Sequence, residues 1–399
     1  MSKGIDAVVA GHICLDITPE FLTGGRSVTE LFRPGSLINM GPATVFTGGT
    51  VSNTGFPLRR LGMNVKLMGK CGRDVFGNAI LAAIKAEAPG AESGMRVIAG
   101  EQSSYSIVIN PPGIDRMFLH CTGANDTFGA EDIDLGIVAA ARLFHFGYPP
   151  LMARTFANDG EELAKIFQAV KAAGATTSLD LAMPDPAAPS GKANWPLILR
   201  RALPLVDVFT PSIDELTLML RRKTLDALVA KAAGRELIDL MDGDLLRELG
   251  ERCVEMGAAI VLIKCGRQGI YARTAGPGRL EQMGRAAVDA AAWANRELFE
   301  PGYVVQSVVT ATGAGDCAIA GFLASLIRGC TLEDSLCHAC ALGAQNVTAA
   351  DAVSGVKSWE ETLRQVAGGP PRRQVTLPLP RFRFDDGAGR FIGPRDGAL

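Results

Sequence analysis

The stretch that most restricts the fold is Gln306–Gly321, QSVVTATGAGDCAIAG. An apolar, β-branched run, Val308-Val309-Thr310, reads as a buried strand. It breaks at Gly313-Ala314-Gly315, and a small-residue helical pattern follows from Ala318 through Ile327. Strand, glycine turn and helix together are the layout of a phosphate site. Glycines let backbone N–H groups converge on an anion, and the helix N-terminus adds about half a positive charge. Asp316 stands at the junction, where a carboxylate repels phosphate unless it has another task. The local pattern leaves two roles open for it, helix N-cap or catalytic base.

A chain of 399 residues with 47% apolar and 21% charged residues has ordinary soluble globular composition. It is long enough for one α/β domain with elaborations. A formal charge of −2 gives no electrostatic case for nucleic acid or an anionic membrane as partner. No apolar run reaches the length of a membrane span, and MSKGIDAVVAG lacks the layout of a signal peptide, so a cytoplasmic location is expected. Nine scattered cysteines suggest reduced thiols. Cys337-His338-Ala339-Cys340 has C-x-x-C spacing but sits inside an apparent helix with no second ligand pair. Its cysteines therefore read as small buried residues. The four histidines show no ligand spacing and are expected to be structural.

Along the chain, residues 5–15 form an apolar run ending at Asp16, placed where a strand meets a loop. Ligands of α/β sheets gather beyond the carboxyl ends of strands, so Asp16 is a candidate for binding hydroxyls. Gly48-Gly49 opens a helix, with Asn53 one turn in, and glycines there permit a ligand close to the backbone. Asp74-Val75-Phe76-Gly77 begins another helix. Residues 103–110 and 116–121 read as a hairpin around Pro111–Asp115 that ends at Gly123-Ala124-Asn125. Strand–helix alternation then resumes (strand 142–147, helix 159–172, strand 175–181, strand 206–210, a helix from Ser212), which argues for a parallel sheet covered on both faces. Residues 221–256 read as two surface helices. Ala258–Lys264 is a buried strand whose hairpin partner is Ile270–Arg273. Residues 274–300 read as a loop plus a helix (RAAVDAAAWANREL). The segment 367–399 is a Pro-, Gly- and Arg-rich tail, either a tether or an arm packing on the body or a partner subunit.

No G-x-x-x-x-G-K-[ST] is present, which excludes a P-loop. Gly313-x-Gly315-x-x-Ala318 matches a dinucleotide fingerprint, but no second strand follows to carry a ribose acid, so a dehydrogenase is disfavoured. Five stretches in order resemble the ribokinase-like (phosphofructokinase-B type, PfkB) carbohydrate kinases. They are the strand ending in Asp16, Gly48-Gly49-x-x-x-Asn53, Gly72-x-Asp74-x-x-Gly77, Lys264-Cys265-Gly266-x-x-Gly269, and Thr312-Gly313-Ala314-Gly315-Asp316 with Ala320-Gly321-Phe322. The flap carrying Arg116 and ending at Asn125 is similar to the sugar-kinase branch.

The resemblance implies a ribokinase-like three-layer α/β/α domain over residues 1–366, with a mostly parallel central sheet and a small β lid. Lid segments at about 16–46 and 101–125 and a helical insertion at about 221–256 would be inserted in it. It implies transfer of the γ-phosphoryl group of ATP to a sugar hydroxyl. Asp316 would be the general base, and the N–H groups of Gly313, Ala314, Gly315 and Asp316 would line the anion hole. Asp16, Gly48, Gly49, Asn53 and Asn125 would bind the acceptor, while Lys264, Gly266, Gly269 and Asn346 would border the nucleotide. Glu215 would hold Mg2+ through water. Closure of the lid would exclude water from ATP.

Three positions depart from the family pattern. Ser212 replaces the amide of N-x-x-E. Thr310 replaces an acid that can help hold a monovalent cation, which weakens the case for K+. Cys317-Ala318 follows Asp316 where small-plus-Phe is commoner. A thiol in the first turn of a helix can be acidified, although position alone favours a packing role for Cys317. Two other readings remain beside the sugar kinase: a nucleoside kinase of the same fold, and a non-catalytic sugar- or nucleotide-binding regulator. A homodimer sharing lid strands is compatible with short exposed β segments.

Overall fold

The computed structural model describes residues 4–22, 28–31, 33–112 and 117–397. Ten strands among them form the main sheet, in the spatial order Val65–Met68, Ile5–Gly11, Ala141–Gly147, Thr176–Leu179, Val208–Phe209, Ile260–Lys264, Gly269–Thr274, Glu297–Pro301, Arg390–Ile392 and Arg383–Asp385. The first six run parallel and the last four antiparallel. A parallel sheet needs both faces covered, so its strands read as unbroken apolar runs. The strand Ile5–Gly11 shows why. Ala7 and Val9 enter one core with the helices Val75–Glu87, Ala314–Ile327 and Leu332–Asn346. Val8 and Ala10 enter the other, with Glu161–Ala172, Trp195–Ala202 and Ile213–Leu220. The result is the three-layer α/β/α arrangement.

The apolar run 5–15 is broken within. Gly11 has φ +120°, and a Cβ there would collide with the Gly147 carbonyl, so the chain leaves the sheet at this point. Cys14–Pro19 then starts a second, four-stranded sheet, paired antiparallel with Ala43–Gly48 and parallel with Tyr105–Ile109, which in turn pairs with Met117–Cys121. This small sheet stands over the carboxyl end of the parallel strands. Asp16 therefore belongs to the lid strand and not to the end of the first strand. Gly113, Ile114, Asp115 and Arg116, the expected turn of the flap, lie outside the described residues.

Two other expectations fail. Val308-Val309-Thr310 is not a strand: Val308 and Val309 are 62% and 57% exposed, and the amides of Val309 and Thr310 both donate to the Val347 carbonyl. The strand before the glycine turn is Glu297–Pro301, expected as the end of a helix, while that helix shrinks to Ala290–Trp293. Periodicity missed the strand because it buries two glutamates, Glu297 and Glu300, inside the sheet. The segment 221–256 does hold two helices, Arg222–Ala232 and Gly243–Glu255.

Buried Glu300 also explains the tail, which packs on the body of the same chain. Arg372 pairs with Glu300 Oε1, Arg390 Nε lies 3.2 Å from Oε2, and the Cys337 thiol donates to Oε1 at 3.1 Å. Burial pushes Glu300 upward, and the two guanidinium groups oppose that shift. Removing one partner of a buried ion pair typically costs roughly 3–5 kcal/mol. Arg372→Ala is expected to lower stability in urea denaturation by about 3 kcal/mol, whereas Arg383→Ala at the exposed outer edge should change it by less than about 0.5 kcal/mol.

Candidate active site

The carboxyl ends of the parallel strands, the turn at Gly313 and the base of the lid converge. Gly313 caps the helix Ala314–Ile327 with φ 74°, and a Cβ there would collide with the Ala352 carbonyl, so both conformation and space demand glycine. The turn is held from beneath by Asn346, whose Nδ2 donates to the Thr312 carbonyl at 2.7 Å. Asn346, expected to border the nucleotide, is fully buried; it supports the glycine turn through Nδ2, while its Oδ1 has no partner. The Ala314 amide donates to the Ala311 carbonyl at 3.3 Å. Gly315 and Asp316 supply the other first-turn amides, which helix geometry leaves without an i−4 partner.

Asp316 is 4% exposed. Its Oδ2 accepts from the Tyr148 hydroxyl at 2.7 Å, and its Oδ1 accepts from Thr54 Oγ1 at a long 3.4 Å. Burial raises its pKa, while Tyr148, Lys264 and Thr54 pull the other way. Tyr148 sits just past the strand Ala141–Gly147 in the left-handed region, φ 67°, which few non-glycine residues adopt. Burial and the Asp316 charge push its phenol well above the ordinary range, so it remains a donor.

Lys264 ends the strand Ile260–Lys264 and reaches across to Asp180, with Nζ 2.6 Å from Oδ1. Its stem overlies the first turn of the helix: a Cβ on Gly315 would lie 3.5 Å from Cδ and Cε and 3.7 Å from Nζ. Burial works against the Lys264 charge, but Asp180, Glu215 and Asp316 around it raise its pKa overall. Burial, then Glu215 and Asp316, push Asp180 upward against the pull of Lys264. Glu215 Oε2 accepts from the Ser212 amide at 2.7 Å, and the Glu215 amide donates to Ser212 Oγ at 3.3 Å. The serine at the position of the family's amide is thus one half of a capping box.

At the turn after Lys264, expected to border the nucleotide, Gly266 (φ +52°) has open space around its Cα, whereas a Cβ on Gly269 (φ +129°) would strike the Glu300 carbonyl. Gly269 is a backbone requirement of the sheet. Arg267 between them pairs with Glu236 and Asp239, which fastens the helical insertion to this turn.

Among the residues expected to bind the acceptor, Gly48 lies against Asp16 in the small sheet, and a Cβ there would occupy the place of the Asp16 carboxylate. Gly49 (φ +87°) makes room for the His12 ring, since a Cβ would sit 2.5 Å from its Nδ1. Burial raises the Asp16 pKa, opposed by hydrogen bonds from Cys14 and Ser106. Asn53 is buried with Oδ1 unpartnered, next to Thr54, which touches Asp316. Asn125 does not join them. Its Oδ1 accepts from the Ile13 amide (3.1 Å), and its Nδ2 donates to the carbonyls of Ile13 and Thr122 (2.9 Å each). In this structure its side chain ties Ile13 to the turn at Thr122.

Sequence reasoning missed Tyr148, Thr54 and Asp180, each placed by a strand or helix end that carries no motif. It also set the histidines aside, yet His12 and His120 meet, Nε2 to Nε2, at 3.2 Å, and His12 stacks on Tyr148 with ring centroids 5.9 Å apart. Cys317 is fully buried and donates to the Ala352 carbonyl; burial and Asp316 push its thiol well up, which makes it a packing residue and not an acidified one.

Residues 25–359 match the sequence profile of the pfkB family carbohydrate kinases. An uncharacterized sugar kinase of Archaeoglobus fulgidus is 25% identical over 279 residues, 69% of this chain and 88% of that protein. Among solved structures, Arabidopsis thaliana ribokinase complexed with ribose and ATP is similar at TM-score 0.65 and 18% identity, covering 91% of this chain and 98% of that one. Fructokinase of Xylella fastidiosa with bound ATP has the same TM-score, identity and coverage. An E. coli protein solved with ATP and Mg2+ is similar at TM-score 0.64 and 21% identity, covering 91% and 99%.

The glycine turn has a direct test. Gly313→Ala is expected to lower stability by roughly 1–3 kcal/mol, because it strains φ and displaces the Ala352 segment. Gly278→Ala, in open space at an ordinary φ, should be neutral or stabilising by about 0.5 kcal/mol. Chemical denaturation of the two variants checks both.

Proposed function

The chain belongs to the pfkB family of carbohydrate kinases and is a phosphotransferase acting on sugar hydroxyls; from that premise we propose that Asp316 is the general base for transfer of the γ-phosphoryl group of ATP. The observation that carries this reading is a buried carboxylate in the first turn of a glycine-capped helix. Tyr148 holds one of its oxygens, and the other is left loosely bound. An acceptor hydroxyl approaching Oδ1 would be held in line and give up its proton late, a contribution typically about 10²–10⁴ in rate. The amides of Gly315 and Asp316 face the other way along the helix axis and would take the transferring phosphoryl oxygens. One such donor is worth about 3–4 kcal/mol where removal has been measured. Lys264 beside them adds a fixed positive charge.

Asp16 and Asn53 would bind the remaining acceptor hydroxyls, since Asn53 offers a buried oxygen without a partner. Gly48 and Gly49 would make room for the acceptor as well as for Asp16 and His12. Three acidic groups, Asp180, Glu215 and Asp316, crowd one lysine, and this surplus of buried negative charge fits a divalent cation. Glu215 and Asp180 would hold Mg2+ through water, as sites with few protein ligands do. Bound there, Mg2+ would neutralise charge on the phosphate oxygens.

The experiment is ADP release from MgATP across a panel of pentoses, hexoses and nucleosides. Turnover with a sugar is expected, and Asp316→Asn should reduce it by at least about 10² while calorimetry still detects acceptor binding. Binding without turnover anywhere on the panel would point to a regulator, and turnover with nucleosides alone to a nucleoside kinase. Because burial raises the Asp316 pKa, activity should fall on acidification through a value above the ordinary carboxylate range. Tyr148→Phe removes a donor to the ionised form, so it should shift this acidic limb to higher pH. An unmoved limb would deny Tyr148 its contact with the base.

A further inference from the structure

The phosphoryl-transfer reading leaves one group of side chains without a task. His12 follows the sheet strand Ile5–Gly11, Cys14 opens the first lid strand, and His120 lies on the lid strand Met117–Cys121. One ligand atom from each falls within 4.8 Å of the other two, and among the described residues this is the one such group of three. We propose that His12, Cys14 and His120 bind a thiophilic divalent cation, Zn2+ above all, which ties the lid to the sheet. This goes beyond the kinase reading and stands or falls without it.

The spacing fits the ion. Zn2+ with Zn–N distances of about 2.0–2.1 Å places two tetrahedral nitrogens about 3.3 Å apart; the two Nε2 atoms are 3.2 Å apart. Without an ion, two neutral imidazoles at that distance can share only one N–H···N bond, and His12 Nδ1 is buried with no partner. The polar capacity of the pair is thus poorly used as it stands. His120 Nδ1 lies 3.0 Å from Ser106 Oγ, the kind of outer contact that fixes the ring of a ligating histidine. Burial lowers the pKa of both rings, leaving them neutral and able to ligate.

Cys14 Sγ donates to Asp16 Oδ1 at 3.2 Å. Burial and the Asp16 charge raise the thiol's pKa, so a bare thiolate beside a carboxylate is disfavoured there. A dication cancels that repulsion. On binding, the S–H bond of Cys14 breaks, its proton leaves to solvent, and sulfur donates its electron pair to the metal, releasing one proton per ion. Three protein ligands with one position left open are the composition of an accessible site rather than a closed structural one. The C-x-x-C pair is different: Cys337 faces Glu300, and the intervening His338 turns its Nδ1 to Ser325.

The test is titration of Co2+, then Zn2+, into the metal-free full-length chain, followed by optical absorption. One equivalent of Co2+ is expected to give a thiolate-to-cobalt charge-transfer band in the near ultraviolet with visible d–d bands of a four-coordinate ion, all bleached by Zn2+. Cys14→Ser should lose the charge-transfer band, and both Cys14→Ser and His120→Gln should weaken Zn2+ binding at least about tenfold, with circular dichroism matching wild type. His120 is exposed on its strand, so its variant keeps the test decisive if the buried serine change harms folding. A wild-type chain that shows no charge-transfer band, or a His120→Gln chain that binds Zn2+ as tightly as wild type, overturns the proposal.

Discussion

A carboxylate buried in the first turn of a helix is tolerated only where something stabilises its charge, and Asp316 organises its surroundings accordingly. The helix end itself favours an anion. Tyr148 donates to one oxygen from the end of a parallel strand, Thr54 approaches the other from the helical turn after Gly49, and Lys264 lies near from a third element. Each contact arises where a strand or helix of the three-layer body ends. The body is thus a device for bringing chain ends distant in sequence to one carboxylate, which is why ligands of open α/β sheets gather at this edge.

Lys264 connects the two halves of the site. It is bonded to Asp180 and close to Glu215, while its stem crosses the first turn that would meet phosphate. A lysine so buried stays charged because three acids surround it, and those acids in turn are less destabilised by one another because of the lysine. Lys264 thus counters the burial that pushes Asp180 and Asp316 upward.

Much of the body was legible because parallel strands buried on both faces leave continuous apolar runs, as in Ile5–Gly11 and Ile260–Lys264. Legibility failed where burial was polar. Glu297–Pro301 carries two glutamates into the sheet: Tyr271 and Arg247 hold Glu297, while Glu300 is matched by Arg372 and Arg390, far along the chain. Val308-Val309 failed in the opposite sense, being β-branched yet exposed. Within the site, glycines and Asp316 were readable because turn geometry demands particular residues. The partners of Asn125 at Ile13 and Thr122 were not legible because hydrogen-bonding capacity says nothing about which partner uses it. Tyr148 was invisible because a single tyrosine after a strand has no pattern. The departures at Ser212 and Thr310 have local partners, a capping box in one case and the Thr312 hydroxyl in the other.

The dependence of Glu300 on Arg372 and Arg390 bears on how the chain is made. During synthesis the strand Glu297–Pro301 emerges before either arginine, so a nascent chain cannot settle that strand into the sheet with its charge matched. The parallel half, whose strands are all upstream, is free to fold first, in the vectorial order usual for growing chains. Completion of the antiparallel edge then waits on Arg372 and Arg390, which makes their docking a later step than the folding of the parallel half.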